Sequence, residues 1–328
     1  METTVKEIEI SLKYNNHDVT KDFSKYLQSV TYTDYEEEQS DELTLELKDN
    51  DKKFQNNWWL DKGSKLSFKA GLKGTKTQVN FGTFTTDEPE MTFSTSGDNL
   101  SVKALATTSN SPVRTTNTRY FNNKTLVQIA KYFGNIYGFK VVGEQGNVNV
   151  GRVNQVNESD LAFLRRISKI YGYVFKLTDG LLTFTKIDTL TNSDVLFTLN
   201  KEDISELRLT DSNTKVYKSC RVQYFNPKTK KLVSYTASRN SGTDTLKLNL
   251  KCRSKDEAKR VAEANLKSGS KEIKGSITLK DINTLFFAGV NFSIKGFGRF
   301  DGKYHIKSAT HNISDGNWQV SGEIEKCL

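Results

Sequence analysis

Cysteine is scarce in this 328-residue chain, present only as Cys220, Cys252 and Cys327. The odd count and wide spacing argue against a disulfide framework. No apolar run approaches the ~20 residues that a membrane-spanning helix needs. The opening METTVKEIEISLKY has no basic stretch followed by an apolar one, so neither a membrane anchor nor a signal peptide is expected, and synthesis in a cytoplasm is. The signatures H-E-x-x-H, C-x-x-C and G-x-S-x-G are missing, which removes the commonest metalloprotease, redox and serine-hydrolase readings. Proline occurs only at Pro89, Pro112 and Pro227, and histidine only at His17, His305 and His311.

Charge is abundant: 48 basic residues stand against 39 acidic ones, a formal net charge of +9. A basic nucleic-acid-binding β protein is therefore one reading. The lysines, however, are spread along the chain, as in KLSFKAGLKGTK, and acidic runs such as DYEEEQSDE interrupt them. A solvated surface fits this better than a phosphate-binding stripe, and no sequence-specific nucleic-acid partner is expected.

From Glu7 to about Ala106 the hydrophobic period is two. EIEISLKY, QSVTYTDY, DELTLELKD, KLSFKAGL, NFGTFTTDE, MTFSTS and NLSVKALA alternate apolar and polar residues between turn-formers such as Asn15-Asn16 and Lys73-Gly74, as in a barrel or sandwich. The polar run around Pro112 reads as a linker. Beyond it the period becomes helical. Leu126, Ile129, Ala130, Phe133 and Tyr137 share one face, with Asn122 or Asn123 as cap and Gly138 as stop. NESDLAFLRRISKIYG repeats the design, with Asn157 or Ser159 as cap, a stripe of Leu161, Leu164, Ile167 and Tyr171, and Gly172 as stop. Arg165, Arg166 and Lys169 are expected to face outward. YVFKL and LLTFTK follow as a hairpin about Asp179-Gly180. From about Leu196 strands return, interrupted by one helix, SKDEAKRVAEANLKSG, with a capping box at Ser254 and Glu257. The chain thus reads as mainly β: a β block at 1–111, a small α+β insert domain at 112–195, and a second β block at 196–328 that may exchange strands with the first.

Chemistry-bearing clusters are few. His305 and His311 lie six apart, so an unbroken strand would put them on one face. No carboxylate or cysteine ligand lies near them in sequence, and hydrogen-bonding histidines at a strand end are expected rather than a metal site. Asp87 and Glu88 read as an exposed turn rather than a glycosidase pair. Gly296, Gly298 and Gly302 read as hairpin glycines rather than a phosphate loop. Trp58 and Trp59, placed on a strand, would face opposite ways, one into the core and the other to the surface or an interface. No catalytic, cofactor or metal residue is assigned. Trp58, Trp59, Arg165, Arg166 and Lys169 are the candidate interface residues.

In order along the chain, DVTKDFSKYLQSVTYTDYEEEQSDELTLELKD, WWLDKGSKLSFKAGL, FGTFTTDEPEMTFSTSGDNLSVKALA, NKTLVQIAKYFGNIYGFKV, ESDLAFLRRISKIYG and GFGRFDGKYHIKSATHNISDG resemble segments of one family. These are the late control D-type baseplate hub proteins of contractile phage tails, whose relatives include bacteriocin hubs and the hub portion of type VI secretion spike proteins. ESDLAFLRRISKIYG is the nearest match, while Asp61-Lys62-Gly63 and Gly97 depart from the family pattern in loops. The resemblance implies two tube-like antiparallel β-barrels with the α+β insert outside them. It implies a non-enzymatic homotrimer in the baseplate of a virion or bacteriocin particle, whose partners are the tail tube protein, a spike protein and baseplate wedge proteins. Three chains with two barrels each would offer six barrels to a sixfold tube and stay threefold for the spike. The implied excess positive charge would lie outside the bore. A cell-wall-degrading tail enzyme is the alternative, though no segment is long enough for a separate lytic domain.

Overall fold

The computed structural model describes residues 7–37, 39–75, 78–106, 115–143, 148–178, 180–212, 216–227, 229–240, 242–252, 254–268, 273–314 and 316–327. The chain is mainly β, as the alternation predicts. Its first block holds β1 (Ile8–Tyr14), β2 (His17–Asp18), the single turn α1 (Thr20–Phe23), β3 (Leu27–Tyr35), β4 (Glu42–Lys48), β5 (Lys65–Leu72), β6 (Gln78–Thr92) and β7 (Asn99–Leu105). Period two becomes burial directly: Leu43, Leu45 and Leu47 of β4 are fully buried, while Thr44 and Glu46 between them are not. Asn15 and Asn16, at φ 47° and 67°, make the two-residue turn that joins β1 to β2.

The middle of the chain holds β8 (Thr116–Asn122), α2 (Leu126–Tyr137), β9 (Lys140–Gly143), β10 (Arg152–Ser159), α3 (Asp160–Ile170), β11 (Tyr173–Thr178), β12 (Leu181–Lys186) and α4 (Ile187–Asn192). Leu126, Ile129, Ala130 and Phe133 of α2 are buried as expected, and Gly138 ends the helix at φ 72°. Its cap is neither asparagine. Thr125 takes the amide of Gln128 while the Gln128 side chain returns to the Thr125 amide, a complete capping box. In α3, Ser159 is the cap, accepting from the amide of Ala162 at 3.2 Å. Phe163 joins Leu164 and Ile167 in the core, and Leu161 and Tyr171 pack at its margin. The two helix–glycine–strand units converge on one sheet: β9 runs parallel to β12, and β11 pairs with β12 antiparallel. Of the hairpin turn, Asp179 lies outside the described residues, as does most of the run about Pro112.

The last part holds β13 (Phe197–Asn200), β14 (Ile204–Asp211), β15 (Tyr217–Asn226), β16 (Lys231–Ser238), β17 (Asp244–Asn249), α5 (Lys255–Ser268), β18 (Ile273–Leu279), β19 (Asn291–Lys295), β20 (Gly302–Ser314) and β21 (Asn317–Lys326). Alternation does not separate β15–β17 from the strands around them, but hydrogen bonding does. Among the described residues they pair only with one another, β15 and β17 being parallel, and they share a small core with α5. The other strands of this part join those of the first block in one sheet of 13 strands, ordered β14-β18-β21-β20-β3-β4-β7-β6-β5-β1-β2, with β19 linking β13 to β20.

The two β blocks are fused rather than adjacent. Ser308–Ser314 of β20 pair antiparallel with Ser29–Tyr35 of β3, so a strand near the end of the chain is hydrogen-bonded to one near its start. One core follows the sheet across this seam. Tyr32 and Phe81 of the first block meet Phe287, His311 and Trp318 of the last, with Phe81 and Trp318 centroids 6.0 Å apart. Gly322 is obligatory here, because a Cβ on it would lie 2.2 Å from the Ser308 carbonyl and 2.8 Å from the Phe286 ring.

Candidate functional site

Away from that core, the same strands present a continuous polar face. Cross-strand neighbours share a face, and one row runs Glu206, Thr278, Ser321, Thr310, Thr33, Glu42 over six consecutive strands. The next includes Gln319, Asn312, Thr31, Thr44, Lys103 and Glu88. Hydroxyls and amides satisfy each other across it: Asn312 donates to Thr31 at 2.9 Å, and Ser101 to Glu46 at 2.6 Å. Over β18, β21, β20 and β3 the face is concave and encloses a groove of about 770 Å³. Its carboxylates outnumber its cations, and several of the latter are paired: Lys103 with Glu42 at 2.8 Å, Arg208 with Glu206 at 2.7 Å and Lys307 with Glu37 at 3.2 Å. The face is polar, low in positive charge and without large apolar side chains.

Two buried polar joints tie this sheet to the middle of the chain. At the first, Lys176 of β11 contacts Asp34 of β3 and, at 2.9 Å, Asp41. Asp34 also accepts the Ala288 amide at 2.8 Å, and Asp41 accepts the Thr178 hydroxyl at 3.2 Å and the Tyr35 amide at 3.1 Å. One ammonium thus serves two carboxylates. Burial, reinforced by Asp41, pushes the Asp34 carboxyl up to about 6 against the pull of Lys176, whose own charge the two carboxylates secure. At the second joint, His305 is fully buried. Its Nδ1 lies 2.7 Å from Asn291 Oδ1 and its Nε2 2.6 Å from Glu36 Oε1. The Asn291 amide nitrogen donates to the carbonyls of Leu190 at 2.7 Å and Ser193 at 2.9 Å, closing off α4 and fixing which end of the amide meets the imidazole. Burial pushes Glu36 up, but the His305 hydrogen bond and the Lys307 charge outweigh it and hold the carboxyl below the usual glutamate range.

The structure separates the two histidines. A bulge between Ile306 and Ser308 inverts the strand parity. His311 consequently sits in the aromatic core, its Nε2 donating to the Phe286 carbonyl at 2.9 Å and its Nδ1 accepting from Trp318 Nε1 at 3.1 Å. All four ring nitrogens have protein partners, and the even spacing does not bring the rings together. Burial pushes the His311 imidazole down to about 4.

Of the expected interface residues, Trp58 and Trp59 lie in the turn between β4 and β5, not on a strand, and both are half-buried against the core. Trp58 stacks on Phe23, with centroids 5.7 Å apart, and lies under Lys53, so its ring is not a free platform. Arg165 is half-buried and lines a groove shared with Asp87 and Glu88, which sit at a bulge of β6 rather than in a turn. Arg166 is outward and pairs with Glu158 at 2.5 Å, and Lys169 is exposed. Gly296 and Gly298, at φ 91° and 62°, do form a hairpin turn, closed by Asp301 accepting the Phe297 amide at 2.6 Å. Ser254 accepts the Glu257 amide at 3.2 Å, as the capping box predicts, and the Glu257 side chain also accepts the Tyr171 hydroxyl at 3.1 Å. One organising residue escaped the sequence reading. Asp160, after the Ser159 cap, is fully buried and gathers Gln155 at 2.6 Å, Tyr137 at 2.5 Å and Arg119 at 3.2 Å. A carboxylate opening an apolar helix, with Arg119 and Tyr137 on neighbouring elements, was the available signal.

Comparison with known proteins gives this architecture a family. Over 97% of this chain and 98% of its own, the 43 kDa tail protein of prophage MuSo2 from Shewanella oneidensis superposes with a TM-score of 0.71 at 15% identity. A tail protein from Neisseria meningitidis gives 0.73 over 98% and 97% at 11% identity. An Escherichia coli component of the type VI secretion system, described as similar to bacteriophage T4 tail proteins, gives 0.56 over 97% and 76% at 12% identity. In sequence, the probable baseplate hub protein of Escherichia phage 186 is 27% identical over 177 residues, 53% of this chain and 44% of that protein. The chain therefore matches less than half the length of that relative. The family model described as phage tail baseplate hub (GPD) matches residues 112–317, from the insert through most of the last β block, and this chain belongs to that family.

Proposed function

We propose that the protein is the trimeric hub of a tail baseplate, a structural adaptor that joins a sixfold tail tube to a threefold spike. In this reading 1–111 and 196–328 are two tube-like halves and 112–195 the bracket outside them. The observation that carries it is the sheet running unbroken through both β blocks, joined by β3 and β20. A single sheet that spans both blocks would supply two tube-facing units per chain, so three copies would give six. The hydroxyl-and-carboxylate face is then the bore wall. Its low positive charge suits the passage of a polyanion, which a lysine-lined wall would retain. The lysine excess would lie on the outside, and no step of the role requires catalysis.

Light scattering on the eluting protein, alone and with a purified cognate spike, tests this. The expected mass is three chains in at least one of the two samples. A strict monomer in both at high concentration would overturn the reading. Loss of turbidity from peptidoglycan on adding the purified chain would instead favour a lytic role.

A further inference from the structure

Outside the proposed bore, one surface carries an unresolved electrostatic conflict. In the sheet of β15, β16 and β17, the residues facing α5 are the small core of Cys220, Val222, Ala237, Leu246 and Leu248. The opposite face is open from Arg221 onward, while Ser219 at its other end is buried. On it Arg221 of β15 and Lys247 of β17 are directly paired, and both are exposed. Like charges set opposite each other destabilise a sheet. Neither cation has an ion-pair partner among the described residues, and no carboxylate occupies any outward, register-paired position from Ser219 to Phe225 or on the strands beside it. At the far end of the face Phe225 and Leu232, also directly paired, are 58% and 57% exposed. The remaining outward positions are hydroxyls and amides. β16 and β17 are both edges of this sheet, so each has one unpaired backbone side.

We infer that this face is a docking site for an acidic, extended segment of a partner protein. The segment's carboxylates would relieve the Arg221–Lys247 pair, and an apolar side chain would cover Phe225 and Leu232. Charge complementarity selects the occupant: two juxtaposed cations with no counterion among the described residues call for an anion, and the apolar pair calls for a ligand with apolar side chains. A free sheet edge suits an extended chain, which gains backbone hydrogen bonds there. A nucleic acid would use the cations but would need more than the one exposed aromatic, Phe225, as a stacking platform. The inference does not depend on the trimeric reading.

The test uses the full chain and fluorescently labelled poly-L-glutamate at moderate salt, followed by anisotropy. The double variant Arg221→Glu, Lys247→Glu should weaken binding by about tenfold or more. A control of equal charge change on β1 and β5, Lys13→Glu with Lys69→Glu, should leave it nearly unchanged. An acidic peptide with interspersed leucines should bind more tightly than poly-L-glutamate, and Phe225→Ser should abolish that advantage alone. Equal weakening by the control pair would reduce the site to general basicity and overturn the proposal. So would tighter, Arg221-dependent binding of oligo-dT, which would make the face a nucleic-acid surface. Thermal unfolding gives an independent reading that does not require the double variant to fold. Arg221→Thr should raise the midpoint without ligand and shrink the further rise on adding poly-L-glutamate. A lowered midpoint with the ligand-induced rise intact would contradict it.

Discussion

The core beneath the large sheet and the core beneath β15–β17 are built on different terms. The first is aromatic and continuous, with Phe54, Phe68, Phe84, Phe286, Phe292 and Tyr304 almost wholly buried. The second is a cluster of cysteine, alanine and valine side chains closed by the narrow face of α5. Large rings fill space between strands contributed from distant parts of the chain, so the large sheet is specified by what it buries. The small unit buries little and is positioned by polar contacts: Tyr171 to Glu257 at 3.1 Å, Asn265 to the Ile170 carbonyl at 3.1 Å, and Lys267 to Asp188 at 2.6 Å. Its Gly172 contact, where a Cβ would meet Ala264 at 2.7 Å, shows how closely α5 approaches the end of α3. The lesson is that a fold-defining sheet and an attached module can share one alternating sequence pattern and differ in what holds them.

The sharpest break in that contrast is Gly322→Val. With backbone at 2.2 Å and the Phe286 ring at 2.8 Å from the new Cβ, β21 cannot lie against β20, and soluble folded protein should be lost in an expression and circular dichroism assay. Next is Phe286→Ala, expected to cost about 3–5 kcal/mol globally in urea unfolding, whereas Leu266→Ala in α5 should cost about 2–3 kcal/mol. Hydrogen exchange should show the second loss confined to residues near 216–268; global loss from Leu266→Ala would erase the distinction. Lys176→Met leaves Asp34 and Asp41 buried together without their cation and should cost about 3–5 kcal/mol. Asp34→Asn in the same background should recover part of it.

Acid titration separates two buried groups of opposite sign. For His311, depressed to about 4, the unfolded chain takes up the proton first, so stability held above pH 6.5 is lost as pH falls towards 4. The span amounts to about 3 kcal/mol. For Asp34, raised to about 6, the folded chain takes up the proton first, so its contribution grows as pH falls from 6 towards 4. The two slopes oppose each other in the wild type. His311→Gln should remove the first and make the variant gain relative to wild type as the buffer is acidified; parallel curves would show that His311 does not titrate with folding. The smallest effect belongs to Arg166→Ala. Its partner Glu158 is near the surface, and the loss should stay below about 1 kcal/mol.

How far the sequence foretold this can be read from individual elements. The stripes of α2 and α3, their glycine stops and the strands of the first block were legible because each depends on neighbours within a few residues. The Thr125 cap was missed by two positions because Asn123, at φ 52°, serves the preceding turn instead. The separation of β15–β17 and the Lys176–Asp34–Asp41 joint were not legible, since each is decided by which distant strand lies alongside. The placement of Trp58 and Trp59 failed because a turn suspends the two-residue period. Both histidines are hydrogen-bonded as expected, but the shared face that an unbroken strand would give them is lost, because one inserted residue in β20 reverses which face every later side chain takes. The hydroxyl face was written in SVTYTDY and KSATHNIS, whose polar alternates are mostly Ser, Thr and Asn, but only the register shows that they adjoin.

The β3–β20 ladder also sets a schedule. β3 is complete when residue 35 leaves the ribosome, yet the strand that covers its outer edge is not made until residues 308–314. While the intervening residues are made, the seven β3 residues from Ser29 to Tyr35 therefore form an open, pairing-competent edge. Pairings this distant in sequence close slowly. The nascent chain is thus exposed to mispairing with another copy until β20 is made, and polysome crowding should harm its yield more than that of a protein whose strands close in order.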